Sequence, residues 1–178
     1  MEELLLKIKK IPLLVCIAVL LTVFPFGASA ASQEHDIATD NVILTDSCGE
    51  SCPGHVITGA SHFANNIQIL SGEHKVTLKD LDVLCSYPDV AFTLETGAKA
   101  DVTIEGNASL VGENGIVSHG ELNIFGDEAS YLYASGRFEA IYVTDDLTVK
   151  GGTLNFGTAS YPSELSNPKK YHLYAMLA

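Results

Sequence analysis

Basic residues are scarce in this chain. Ten lysines and arginines stand against 22 aspartates and glutamates in 178 residues, a formal charge of −12. That balance disfavours nucleic acid, whose phosphates call for Lys and Arg, and it disfavours docking on an anionic membrane surface. It is compatible with neutral polysaccharides, and with acidic ones where divalent cations bridge the two; net charge by itself says nothing about fold. Arginine occurs once, at Arg137, in a Ser-Gly-Arg-Phe turn with no acidic triad in register, and reads as a solvated turn residue. A membrane-spanning run is also missing. The longest apolar stretch, residues 11–26, is broken by Pro12 and Pro25 and falls short of the roughly 20 residues that a spanning helix needs. His62, His74 and His119 have no Ser or Cys partner at motif spacing and read as turn residues. Between Val56 and Gly157 no helical periodicity appears.

The ends divide the chain. Lys7, Lys9 and Lys10, the apolar run and the small residues Ala28-Ser29-Ala30 form the pattern of a secretory signal peptide over residues 1–30, cleaved near Ala31. Its removal takes away three lysines and two glutamates and moves the charge to −13. Residues 31–55 read as a linker with one N-terminal strand at Asn41-Val42-Ile43-Leu44 and a cysteine pair. In an exported protein, Cys48 and Cys52 most simply form a disulfide. A zinc reading of Cys48, Cys52 and His55 lacks a fourth ligand at finger spacing. Cys85 falls in register with Leu81 and Val83 and reads as a small buried hydrophobe.

Residues 56–158 carry a repeat. Val76-Thr77-Leu78, Val102-Thr103-Ile104, Leu122-Asn123-Ile124 and Leu147-Thr148-Val149 share an apolar-polar-apolar triplet, and their first residues lie 26, 20 and 25 apart. Further short apolar strands and Gly/Asn/Asp corners follow each of the first three triplets. Self-similarity of that period, built from strands and turns, marks a β-solenoid. The expectation is an all-β, right-handed parallel β-helix of about four coils, with Leu78, Ile104, Ile124 and Val149 stacked in one internal ladder. Period-2 alternation turns Val76, Leu78, Leu81, Val83, Phe92 and Leu94 inward in the first full coil, and Val102, Ile104, Ala108, Leu110 and Ile116 in the next. After residue 158 the pattern dissolves. Residues 159–178 read as a C-terminal cap or as the start of a longer region.

Cys52-Pro-Gly-His-Val-Ile-Thr-Gly59, the run Gly72 to Val83 and Asn107-Ala-Ser-Leu-Val-Gly112 carry a resemblance. Over about residues 52–157 the chain resembles the secreted carbohydrate-binding right-handed β-helix proteins of fibre-degrading bacteria, similar in fold to pectate lyases. The resemblance implies binding of plant polysaccharide, with calcium in some members. The shared residues are coil-forming ones, so no ligand or calcium site transfers residue by residue.

Three function classes remain. A polysaccharide lyase needs a basic residue to take a proton beside a carboxylate that calcium neutralises, and a hydrolase needs two facing carboxylates. Asp80/Asp82 and Asp145/Asp146 are candidates for the second, but acidic turns are common in this chain. A scaffold or adhesin segment would only project or stack. The favoured reading is a non-catalytic polysaccharide-binding module, secreted or at the cell surface, with no nucleic-acid partner and no membrane after signal cleavage. Its candidate ligand-binding residues are Tyr131, Tyr133 and Tyr142. With Leu132 inward, Tyr131 and Tyr133 face out together, and Tyr142 faces out between Ile141 and Val143. Aromatic faces with a polar tip suit the C–H patches of pyranose rings. The competing register buries both tyrosines and exposes Leu132.

Overall fold

The computed structural model describes residues 31–47 and 52–158. Every strand pairing among them is parallel, and the described chain is an all-β solenoid of about five turns. The expected fold class therefore stands, with one turn more than the repeat count suggests. The expected signal peptide over residues 1–30, Cys48 and residues 159–178 lie outside the described residues. No helix among the described residues is long and apolar enough to cross a membrane.

Among the described residues, eleven strands wind into three sheet faces. The first face stacks β1 (Gln33–Asp36), the first halves of β3 (His55–His62), β5 (Glu73–Leu84) and β7 (Lys99–Ser118), then β8 (Glu121–Gly126) and β10 (Leu147–Lys150). The second face continues through the later parts of β3, β5 and β7 to the start of β9 (Tyr131–Val143) and to β11 (Thr153–Thr158). The third stacks β2 (Val42–Leu44), β4 (Ile67–Ile69), β6 (Phe92–Leu94) and the ends of β7 and β9.

The additional turn comes from the segment expected to be a linker. β1 pairs with His55–Thr58, and the neighbouring Ile37 is fully buried, its amide donating to the Thr58 carbonyl over 3.0 Å. Its sequence is polar because a four-residue strand on an end coil exposes most of its side chains, so composition alone conceals it.

Inside, period-2 alternation makes columns of like residues. Val76, Val102 and Ile124 align in one, while Val42, Ile67, Phe92, Ile116 and Ile141 align in another. All the residues expected to point inward in the coils of β5 and β7 are buried. The expected ladder needs a correction. Leu78 lies against Ile104, but Ile104 lies against Gly126, and Ile124 lies against Val102 and Val149. A shift of two residues preserves which face each side chain takes, so an apolar-polar-apolar triplet cannot distinguish the two registers. The 20-residue spacing of the second interval was the sign of the slip, since Val102 and its true partner Ile124 are 22 apart. His74 is corrected too: it is buried inside the solenoid rather than placed in a turn.

The corner between the first two faces repeats one device. Gly59, Asp80 and Gly106 all have positive φ there, and the strand registers shift at Gly59 and Asp80. The Asp80 carboxylate accepts the Asn107 amide at 3.3 Å and lies over Gly106, where a Cβ would collide with it. Glycine at 106 therefore serves both the left-handed backbone and the close approach of the coil below.

Candidate aromatic face

β9 reaches the second face as Tyr131-Leu132-Tyr133. Leu132 is only 2% exposed, packed in an inward column with Leu81, Ala108 and Leu154. Alternation then directs Tyr131 and Tyr133 to the outside, where both are half-buried. Two residues along a strand put them roughly 7 Å apart. Tyr131 stands between Asn107 and Thr153, and Tyr133 between Ser109 and Asn155. The Asn155 side-chain amide donates to the Tyr131 hydroxyl at 3.0 Å. Next to Tyr133, Gly157 lacks a Cβ, which would press on the tyrosine ring. The register that would bury both rings is excluded by these pairings.

Tyr142 also points outward, 41% exposed, but on the third face. It sits at the end of an outward column behind Thr93 and Val117, and its ring meets His119 edge-on with centroids 5.9 Å apart. His119 is held in turn by a 3.1 Å hydrogen bond between its Nδ1 and the Thr144 hydroxyl. The structure thus brings together Tyr131 and Tyr133 and separates Tyr142 from them.

A second outward surface lies on the first face. A shallow groove of about 290 Å³ is lined by Lys75, Thr77, Asp101, Thr103 and Phe125 across successive coils. Asp101 accepts a 2.9 Å hydrogen bond from Asn123, whose amide also donates to Glu121. Glu121 pairs with Lys99 at 2.9 Å, and this contact, then that of Asn123, holds its carboxyl below the usual range. Lys150 lies over the Phe125 ring, 5.7 Å from its centroid. Phe125 was not singled out from the sequence. Alternation from inward Ile124 was the signal that would have placed its ring outside.

The residues weighed for catalysis take other positions. Arg137 is stacked on Tyr87 and Phe138, 5.2 and 5.6 Å from their ring centroids. Asp80 supports the corner described above, and Asp82 faces out from the second face, 3.3 Å from His62. Among the described residues, no group of three or more His, Cys, Asp or Glu side chains is arranged to hold a metal. Cys85 is a free, buried thiol as expected, pushed up to about 11 by burial and then by Asp89.

Comparison with known proteins gives no match: no family model, no curated protein and no solved structure.

Proposed function

We propose that the chain is a non-catalytic polysaccharide-binding β-solenoid, acting outside the cell after export. The observation that carries this reading is the pair Tyr131 and Tyr133, presented outward over buried Leu132 on a parallel sheet. Such a sheet offers a hydrogen-bonded surface to an extended polymer, and binding to a surface already in place orders little besides the ligand. Each ring presents an apolar face to sugar C–H groups and a hydroxyl to sugar oxygens. The surrounding Asn107, Ser109, Thr153 and Asn155 add hydrogen-bonding groups without adding charge. The acidic balance of the chain favours a neutral polymer, or an acidic one bridged by calcium. In the exported form, Cys48 and Cys52 close a small disulfide loop.

The test is retention on insoluble neutral plant polysaccharide. Replacing Tyr131 and Tyr133 together with Ala should abolish most of the retention, while the melting temperature stays within a few degrees of wild type. A large fall in stability would mean that the rings serve the core. Absence of retention by the wild-type chain across a glycan array would favour a scaffold or adhesin segment. Release of unsaturated oligosaccharide would instead establish a lyase.

A further inference from the structure

Three imidazoles run diagonally through the N-terminal end of the solenoid, one on each of three successive coils. By strand register, His35 on β1 lies over Ile57, His55 on β3 over Val76, and His74 on β5 over Ala100, all of them inward positions. His35 and His55 have ring centroids 5.3 Å apart, and His55 and His74 have theirs 5.5 Å apart. His55 and His74 are buried, whereas His35, on the end strand, is partly covered.

The hydrogen bond between His35 and His55 excludes a positive charge on both rings at once. His35 Nε2 and His55 Nδ1 are 3.1 Å apart, so one must donate and the other accept. An imidazolium cannot accept, because both of its nitrogens carry hydrogens. His74 Nε2 lies 2.8 Å from the Ser71 carbonyl and therefore donates to it. Its Nδ1 is buried with no hydrogen-bond partner.

The surroundings offer no compensating charge. On β1, Glu34 and Asp36 occupy the alternate, outward positions; on β5, Glu73 and Lys75 do the same, as do Lys99 and Asp101 on β7. Across the interior, β2 and β4 present Val42, Leu44, Ile67 and Ile69. Asp46 is exposed in the turn after β2, and His62, the other titratable group of β3, is engaged with Asp82. Among the described residues, no carboxylate lies within ion-pair distance of any of the three rings.

We propose that His35 and His55 form an acid-sensitive latch, in which neutral imidazoles hold the N-terminal coil closed and protonation releases it. Burial lowers His35 from its ordinary value; His55 is lowered by burial first and then by the charges that His35 and His74 would bring. A depressed histidine stabilises the closed state above its ordinary value near 6.5. That contribution is lost as pH falls through 6.5 toward the lower value of the closed state. At pH 5, each imidazole that stays neutral while the coil is closed shifts the open-to-closed ratio by about thirtyfold. Opening would free β1 first, since it is a four-residue strand paired to β3.

Amide hydrogen exchange on the protein at pH 8 and pH 5, corrected for intrinsic rates, reads the latch directly. The amides of Gln33 and Ile37, bonded to the carbonyls of Gly54 and Thr58, should lose protection at pH 5, by up to about thirtyfold for each imidazole that stays neutral in the closed coil, while that of Leu110 keeps its own. The H35Q/H55Q variant should show no such pH dependence at Gln33 and Ile37. Equal loss in wild type and variant, or no loss in wild type, would overturn the proposal. Titration of the His35 and His55 ring protons by NMR in wild type decides it should the variant not fold. Protonation of both below 6.5 supports the latch, and protonation at or above 6.5 in the closed state refutes it.

Discussion

Replacing Ile104 with Ala tests the corrected register. Ile104 is 4% exposed and stacks between Leu78 on one coil and Gly126 on the next. Truncating a buried isoleucine costs about 2–5 kcal/mol, the upper end applying where neighbours cannot close the space. Gly126 has no side chain to move into the gap, and the space a Cβ there would fill is already bounded by Ser130 and Gly152, so a cost of about 4 kcal/mol is expected. For a domain of this size, that corresponds to a fall of roughly 10–20 °C in melting temperature. Val149 supplies the comparison. In a ladder of four equivalent residues, Val149→Ala would cost much the same per methyl group removed, but Val149 is 42% exposed on an end coil. Its truncation should cost about 1 kcal/mol or less. Thermal melts followed by far-ultraviolet circular dichroism measure all three proteins. Ile104→Asp, which buries a charge without a partner, should not fold. If Ile104→Ala and Val149→Ala shift the midpoint equally, the interior positions assigned to them are wrong.

Two further outcomes follow from local chemistry. Asp127 accepts hydrogen bonds from the Ser130 hydroxyl at 2.6 Å and the Ala129 amide at 3.0 Å, and these contacts, led by Ser130, lower its carboxyl from 3.8. A depressed carboxylate contributes stability above its ordinary value and loses it as pH falls through the folded value, so Asp127→Ala should lower the melting temperature at pH 7 and make little difference at pH 2. Cys85 should resist thiol reagents in the folded protein, and denatured, oxidised chain lacking residues 1–30 should then titrate one thiol; three would refute the Cys48–Cys52 pairing.

The solenoid was legible because burial on one side of each strand imposes alternation. Val76-Thr77-Leu78 and its relatives display that rule without help from tertiary context. The same rule placed Tyr131 and Tyr133 outside as soon as Leu132 was turned in. It could not fix a two-residue slip, which is why Ile104 was matched to Ile124 instead of Gly126. Nor could it reveal β1, whose pairing partner His55–Thr58 supplies what its own polar residues lack. The imidazole row was hidden for another reason. His35, His55 and His74 lie 20 and 19 residues apart in sequence, and only the winding of the coils makes them neighbours. Tyr142 failed to join the other tyrosines because the strand that carries all three turns a corner at Gly136 to Glu139 and enters another face.

Parallel stacking also sets the terms on which the chain must fold. Val76 meets Val102 across 26 residues, Val102 meets Ile124 across 22, and Ile124 meets Val149 across 25. Every coil therefore closes a loop of nearly the same length, and loop-closure entropy rises only slowly with length. The costly event is the first pairing, when two coils must meet with no template beneath them. Each later coil lands on an edge already ordered and meets the same modest barrier as the one before it. The central coils of β5 and β7, with the longest paired register and buried inward residues on all three faces, are where such a nucleus gains most from its first contacts. Growth outward from such a nucleus in both directions is the expected route, with folding time set by a single initiation and hardly by the number of turns that follow.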